Sequence, residues 1–490
     1  MKDPLLAAHA LLALAGACTA SPQQRAAVVP APSLTRPAQP VETSGDRATS
    51  SSSPVSNVAV ASQGITWLRD DPDAAFARAR SERKLVLVDL WAAWCHTCLS
   101  MQKFVLTDAK LPGASARFVF LALDTDLAKN AAFLRRFPTA GWPTFYVLSP
   151  AGPGEPAVPA VRGRWLGAAS PGQMARFLAD AEHGGGPTED TKGAPSALLA
   201  VAGALAAEGR YADAATKYGE ALERAPSDWP RAADVRVARA SALKRSSNPG
   251  ACVDMAFDPS FTELGSPISA SDHAATVLDC ADMLPPSDTR RRRARERAEA
   301  QLTALCENGA AELTPDDRGD ACGNLILARD ALGDKKGARR AAETRLLLLE
   351  AAAQGMPDEV ALIYDSARAD TLVLLGRGED ALALLTARER ALPDNYNPPH
   401  YIARVAKQLA RWDLGLDAAD RALALAYGPR KATLYTVKVE LLLGAGRRSD
   451  AKAVLNEQLA ALAALPEGQR RPETERLARE RLAALDGAKP

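Results

Sequence analysis

The chain is poor in aromatic residues and almost free of net charge. Only 5% of its 490 residues are Phe, Trp or Tyr, and the formal net charge at pH 7 is +1. A charge this small gives no long-range field that would favour nucleic acid, so no nucleic-acid partner is expected. Beyond the N-terminal segment, no apolar run is long enough to span a bilayer. No Gly-rich phosphate loop, HExxH helix or nucleophile elbow occurs, so the sequence predicts neither a cofactor nor a metal.

Alanine, leucine and arginine are abundant instead, and this composition favours helix for most of the chain. A length of 490 residues exceeds what a single hydrophobic core holds. We therefore expect two or three folded units.

The N-terminus has the pattern of an export signal. Lys2 precedes an apolar run over 5–15, and small residues lead to Cys18. This resembles a bacterial lipoprotein signal, which implies acylation of Cys18 and a lipid anchor as the sole membrane attachment. Ordinary cleavage after Ala17 or Ala20, which would release a soluble exported protein, is the alternative.

Composition divides the chain into five segments. Residues 1–18 are the predicted signal peptide and lipobox. Residues 19–63 are rich in Pro, Ser and Thr and predict a disordered linker. Strand and helix patterns alternate over 64–183, which predicts an α/β domain. A Gly-rich linker over 184–195 then leads to helical patterns alone over 196–486.

The helical segment repeats a short signature, in which a glycine is followed five residues later by an alanine. The pairs are Gly209/Ala214, Gly333/Ala338, Gly376/Ala381 and Gly446/Ala451. Around the first pair, Tyr211, Tyr218 and Pro226 resemble the packing aromatics and terminal proline of a tetratricopeptide repeat. The resemblance implies an all-α solenoid of stacked helical hairpins that binds proteins. The spacing is irregular between 227 and 318.

The strongest chemical signal is the Cys-x-x-Cys pair Cys95 and Cys98, which follows the apolar run over 84–91. A buried strand that leads into a helix opening at Cys95 favours redox chemistry, because the helix N-terminus stabilises a thiolate. We predict that Cys95 is the nucleophile and Cys98 the resolving thiol. Zinc, which uses the same spacing, needs two more ligands, and none follows in this part of the chain.

Two neighbours of the pair add to this hypothesis. His96 contributes positive charge beside the nucleophile when it is protonated. Trp94 is expected to shield the site and to shape the surface that meets a partner.

Two motifs around this pair resemble the thioredoxin superfamily, and within it the thioredoxin-like domains of membrane thiol:disulfide interchange reductases. They are Val88-Asp89-Leu90-Trp91-Ala92-x-Trp94-Cys95-x-x-Cys98 and Gly141-Trp142-Pro143-Thr144-Phe145. The resemblance implies a thioredoxin fold and a cis Pro143 opposite the dithiol. Such a proline excludes metals and lets the Trp142 backbone pair with an extended client.

Asp89 matches the family's buried carboxylate, which accepts a proton when the resolving thiol attacks. The alternative is an ordinary polar residue at a strand end. The lysine that usually accompanies this carboxylate is missing from the strand predicted over 118–123.

Four cysteines remain, an even number in a chain expected to reach an oxidising compartment. We expect disulfides between Cys306 and Cys322, across a helical hairpin, and between Cys252 and Cys280. Free buried thiols and a zinc site are the alternatives.

These features together predict an exported, periplasmic thiol–disulfide oxidoreductase whose repeats recruit protein clients that carry thiols or disulfides. The resemblance implies a membrane reductase as a further partner and favours a reductant or an exchange factor, although the redox direction is not readable from the residues. Two other functions fit: a non-catalytic scaffold with an inert thioredoxin-like adaptor, and a redox sensor in which the dithiol state changes repeat packing.

Overall fold

The computed structural model describes residues 65–139, 141–150, 159–183, 193–261, 265–307 and 313–487. The predicted signal peptide, the lipidation site Cys18 and the linker 19–63 lie outside these residues.

Residues 65–183, called the sheet domain below, are built on a mixed five-stranded sheet. Its strands are β1 (Trp67–Arg69), β2 (Leu85–Trp91), β3 (Phe118–Asp124), β4 (Thr144–Ser149) and β5 (Ala160–Leu166). The strand order is β1-β3-β2-β4-β5, with β1, β3 and β2 parallel and β4 and β5 antiparallel. The apolar run over 84–91 becomes the central strand β2, because a strand covered on both faces needs apolar residues on both. The sequence gives no clear signal for β1, which is three residues long.

Five α-helices accompany this sheet: α1 (Pro72–Glu82), α2 (His96–Ser100), α3 (Ala114–Arg117), α4 (Ala131–Arg136) and α5 (Pro171–His183). The helix predicted from Cys95 differs in detail, since Cys95 caps it and α2 continues as a π-helical turn, Met101–Val105. Between β3 and β4 the helix is limited to α4, which follows a 3-10 turn. There Asn130 donates hydrogen bonds to Asp70 and to the carbonyl of Asp124, both at 2.8 Å, which favours a loop over a continuous helix.

Residues 193–487, called the repeat region below, contain fifteen α-helices among the described residues. They are α6 (Pro195–Ala207), α7 (Tyr211–Arg224), α8 (Ala232–Arg245), α9 (Pro249–Asp254), α10 (Pro267–Met283), α11 (Thr289–Glu307), α12 (Pro315–Leu332), α13 (Lys335–Ala353), α14 (Asp358–Leu374), α15 (Gly378–Ala391), α16 (Asn397–Gln408), α17 (Trp412–Leu425), α18 (Arg430–Gly444), α19 (Arg448–Ala463) and α20 (Pro472–Gly487). Within the described part of the chain, none of the helices combines the length and the apolar character needed to cross a bilayer.

The Gly/Ala signature marks the hairpin turns. All four of its glycines have a positive φ, between 73° and 88°, and all four alanines are buried. Each turn is closed by a hydrogen bond from the residue after the glycine to the carbonyl five residues before it, as from Arg210 to Leu205 at 2.9 Å. This is the Schellman arrangement, which favours glycine because only glycine adopts positive φ without strain.

Two further turns have the same geometry without the signature. Ser247 and Ala410 adopt φ of 57° and 54°, and the residues that follow them bond back five positions, to Leu243 and Ala406. The buried small position five residues on is Cys252 after Ser247. The irregular stretch over 227–318 therefore keeps the repeat turn while losing its glycine.

The four remaining cysteines form two disulfides. Cys252 pairs with Cys280, which joins α9 to α10, and Cys306 pairs with Cys322, which joins α11 to α12. All four sulfur-bearing residues are fully buried, so both bonds lie inside the helical core.

The sheet domain and the repeat region pack against each other within one compact unit. Two glycines of the repeat region allow close approach: a Cβ at Gly428 would overlap the carbonyl oxygen of Asp126, and a Cβ at Gly468 would overlap that of Ala131. Leu99 and Phe104, at the end of the Cys-x-x-Cys helix, pack against an apolar cluster on α13 and α14.

The strained turn at Ala410 gives a first prediction. Ala410→Gly is expected to raise the free energy of unfolding by up to about 1 kcal/mol, because an L-residue with positive φ is strained by more than glycine loses in chain entropy. Gly376→Ala, at the equivalent turn, is the matched control and should lower it by a similar amount. Chemical denaturation measures both, and a less stable Ala410→Gly would contradict the strain.

Candidate active site around Cys95 and Cys98

The Cys-x-x-Cys pair lies at the N-terminus of α2, a few residues after β2 ends. Cys95 is the N-cap of α2, and its Sγ accepts a hydrogen bond from the Cys98 backbone N–H at 3.0 Å. The two cysteines are joined as a disulfide, with Cys95 5% exposed and Cys98 fully buried. Cys95 is therefore the less buried of the two cysteines, and a helix N–H points at its sulfur, which is the environment that stabilises a thiolate.

A cis peptide bond between Trp142 and Pro143 stands beside the pair. The rings of Trp142 and Trp94 meet edge to face with centroids 4.9 Å apart, and both tryptophans pack on the cluster that holds the two cysteines. The peptide N–H and C=O of Trp142 make no hydrogen bond with any described residue. They are thus available to pair with an added extended segment.

Asp89 lies in the middle of β2 and is fully buried. Its Oδ2 accepts a hydrogen bond of 2.7 Å from Gln102 Nε2, while its Oδ1 has no partner in the described part of the structure. Burial raises the pKa of Asp89 to about 7, although the Gln102 hydrogen bond and the charge of Arg69 oppose the rise. A carboxyl group with this pKa exchanges protons readily near neutral pH.

Arg69 supplies the positive charge that the missing lysine would have brought. It ends β1, and the sheet register aligns both Arg69 and Asp89 with Ala122 of β3, between them. Its guanidinium lies 5.6 Å from the centroid of the Trp91 ring. β1 is only three residues long and gives no clear signal in the sequence, so Arg69 could not be predicted as a partner of Asp89.

His96 is held by two carboxylates of α12. Its Nδ1 lies 3.0 and 3.1 Å from the two oxygens of Asp316, and its Nε2 lies 3.9 Å from Asp320. Burial disfavours the imidazolium, but the charges of Asp320 and Asp316 outweigh this cost and raise the pKa of His96 to about 10. The ring is therefore protonated across the physiological range. No sequence signal links residues more than 200 positions apart.

The other side of the site meets α16, α18 and the segment before α20. Asn397 Nδ2 donates to the carbonyl of Ala93 at 2.9 Å. The guanidinium of Arg430 lies 4.8 Å from the Trp94 ring centroid, and that of Arg471 lies 5.2 Å from that of Trp142. The repeat region thus contacts both tryptophans that flank the dithiol.

The loop after β3 joins these contacts. Trp94 Nε1 donates to Asp126 at 2.8 Å, Trp142 Nε1 donates to Thr125 Oγ1 at 2.9 Å, and Tyr427 Oη donates to Asp124 at 2.6 Å. Burial raises the pKa of Asp124 to about 7 and that of Asp126 to about 6, against these hydrogen bonds. Residues 124–126 therefore fix both tryptophans and the repeat region at once.

Residues 66–150 match the thioredoxin-like family model. The chain carries a thioredoxin-like domain. The predicted thioredoxin fold, followed by helical repeats, is confirmed.

Two curated relatives are named thiol:disulfide interchange protein DsbD. The protein of Pseudoalteromonas atlantica is 36% identical over 77 residues, which cover 15% of this chain and 13% of the relative. That of Ralstonia nicotianae is 32% identical over 87 residues, covering 16% and 14%. The chain thus spans about one seventh of the length of these relatives.

Solved structures match more of the chain but weakly. The assembly chaperone of RpL4 (Acl4) is 19% identical, with 60% of this chain and 98% of that chain covered at a TM-score of 0.29. The Cut9–Hcn1 hetero-tetramer of APC/C is 13% identical, with 63% and 59% covered at a TM-score of 0.25. Scores this low carry no argument about function.

Of the site residues predicted around the motif, Trp94, Cys95 and Cys98 share one cluster, on which Trp142 of the cis Trp142–Pro143 bond also packs. Asp89 is buried in β2, and His96 begins α2 and faces the repeat region. The predicted structural cysteines lie elsewhere, within the repeat core. None of the contacts that the repeat region makes with the site was predicted from the sequence.

The buried carboxyl group gives a second prediction, for Asp89→Asn. If Asp89 accepts the proton of Cys98, this variant should slow resolution of a mixed disulfide by roughly 100-fold. The wild-type resolution rate should rise with pH through about 7, where Asp89 ionises, and this inflection should vanish in the variant. Stopped-flow measurement of mixed-disulfide decay between pH 5 and pH 9 tests both.

The free energy of unfolding of the wild type should fall as pH rises, opposite to the resolution rate. Because the folded pKa of Asp89 is raised, its stabilising contribution is lost as pH rises through about 7. Asp89→Asn should therefore raise the melting temperature at pH 8 and leave it unchanged below pH 4. An unaltered rate profile together with this gain in stability would assign Asp89 a structural role alone.

Proposed function

We propose that this chain is an exported thiol–disulfide oxidoreductase that exchanges two electrons with protein clients through Cys95 and Cys98. The observation that carries the proposal is the placement of Cys95 Sγ: it caps α2, accepts the Cys98 N–H and lies beside the cis Pro143 loop. The DsbD name of two relatives supports the same chemistry for the thioredoxin-like domain.

The order in which the two cysteines react follows from their burial, since Cys95 is slightly exposed and Cys98 is fully buried. In the reducing direction, the Cys95 thiolate attacks a client disulfide, and one client sulfur leaves as a thiolate. Cys98 then attacks Cys95 Sγ in the mixed disulfide, and the second client sulfur leaves. Two electrons pass to the client and the pair becomes the disulfide seen in the structure. A dithiol donor must reduce the pair again, a role suited to a membrane reductase partner.

Three side chains assist this reaction. Asp89 accepts the proton of Cys98 and releases it towards the departing client thiolate. Pro143 holds the Trp142 peptide, with which the client backbone pairs, and keeps metals from the thiols. Trp94 shields Cys95 and forms part of the client surface, since its ring contacts Trp142.

Export and anchoring complete the proposal. Residues 1–18 direct the chain to the periplasm, Cys18 carries the lipid, and residues 19–63 tether the folded part. The two buried disulfides of the repeat region support an oxidising compartment. The repeats over 196–486 position the protein clients.

One observation favours the second candidate function, a scaffold with an inert thioredoxin-like adaptor. The repeat region contacts Ala93, Trp94 and Trp142 directly, and Cys95 is only 5% exposed. A client must therefore reach the sulfur through a narrow opening, or the repeats must move.

Insulin reduction with dithiothreitol as the donor separates the two functions. The wild type should accelerate insulin precipitation, and Cys95→Ser should fall to the uncatalysed rate because the attacking sulfur is gone. The matched control is the double variant Cys252→Ala, Cys280→Ala, which removes a disulfide remote from the site and should keep activity while losing stability. Equal rates for the wild type and Cys95→Ser would support the inert adaptor.

A further inference from the structure

His96 is clamped between two repeat-region carboxylates, one facing each ring nitrogen. Nδ1 lies 3.0 Å from Asp316, and Nε2 lies 3.9 Å from Asp320. Both nitrogens can donate only when the ring is an imidazolium. Asp316 is 4% exposed, whereas the His96 side chain is 39% exposed and Asp320 40% exposed. The clamp therefore has one buried arm and one arm open to solvent.

Acidic residues on the neighbouring helix oppose the positive charge of the His96 ring. On α12, Asp316, Asp317 and Asp320 follow one another within the first two turns. Arg345 of α13 lies 3.8 Å from Asp320. Asp272 of α10 and Asp317 act on Asp320, and burial raises the pKa of Asp272 to about 8 and that of Asp317 to about 7, so both are partly protonated at neutral pH. The imidazolium and Arg345 therefore face the carboxyl groups of Asp316 and Asp320, and burial raises the pKa of Asp320 against the charges of His96 and Arg345.

These carboxylates change the effect that His96 has on the Cys95 thiolate. An uncompensated imidazolium next to Cys95 would stabilise the thiolate and so favour the reduced pair, which makes a dithiol oxidising. Carboxylates paired with the ring oppose its field, because an ion pair presents a smaller net charge to a third group than the imidazolium alone would. Their negative charge removes that advantage.

We propose that Asp316 and Asp320 are positioning residues that fix His96 and cancel its charge, so that the repeat region sets the Cys95–Cys98 pair to act as an electron donor. This inference rests on the proposed thiol–disulfide exchange and assigns its direction. The Cys306–Cys322 disulfide supports the arrangement, because it ties α12, which carries both carboxylates, to α11.

The test measures the reduction potential of the pair in the full chain. The protein is equilibrated in glutathione buffers containing EDTA, and alkylation of Cys95 is quantified by mass spectrometry. Asp320→Asn removes the solvent-exposed carboxylate while Asp316 keeps His96 protonated. It should shift the equilibrium two- to fivefold towards the reduced pair, an increase of roughly 10–20 mV. His96→Gln leaves the carboxylates uncompensated and should shift it the opposite way.

Asp413→Asn, an exposed carboxylate on α17, is the charge-matched control and should leave the potential unchanged. Unchanged potentials in Asp320→Asn and His96→Gln, or shifts of the same sign, would overturn the proposal, even if both variants melted at lower temperature.

The result is independent of client turnover. A wild type that fails to reduce insulin but gives the opposite-sign shifts would refute the proposed function and leave the charge balance intact. Insulin reduction without those shifts would support the proposed function and refute the charge balance.

Discussion

The hydrogen bond from the Cys98 N–H to Cys95 Sγ is the interaction on which the rest of the site depends. It exists because a fully covered central strand ends in a short loop and α2 starts with Cys95 as its cap. Cys95 Sγ thereby lies at the helix terminus, while Cys98 is fully buried one turn into the helix. The cis Pro143 loop packs beside this pair through Trp142, and Asp89 is buried in the strand that leads to it.

The thioredoxin-like domain and the repeat region build the surroundings of that sulfur together. On one side, Arg430 and Arg471 lie over the two tryptophans; on the other, Asp316 and Asp320 enclose His96. The nucleophile therefore sits between a cationic and an anionic flank, both supplied by distant segments. The repeats are therefore part of the electrostatics of the site.

Backbone conformation is kept more strictly than residue identity in the repeat turns. Glycine occupies four of them, yet Ser247 and Ala410 adopt the same positive φ and the same closing hydrogen bond. The packing of stacked hairpins offsets the local strain, which is modest for a single residue. This explains why a glycine-based pattern finds the regular repeats and misses those in the irregular stretch over 227–318.

The sequence by itself determined the elements whose signals are local: the apolar run of β2, the Cys-x-x-Cys spacing, the Trp142-Pro143 motif and the Gly/Ala hairpin turns. Asp89 was predicted only through the resemblance to the thioredoxin-like family, whose buried carboxylate it matches. Only the tertiary structure decided that Arg69 stands in for a lysine and that α12 encloses His96. Periodicity and spacing describe neighbours along the chain, whereas charge balance at a sulfur depends on residues that folding brings together from more than 200 positions away.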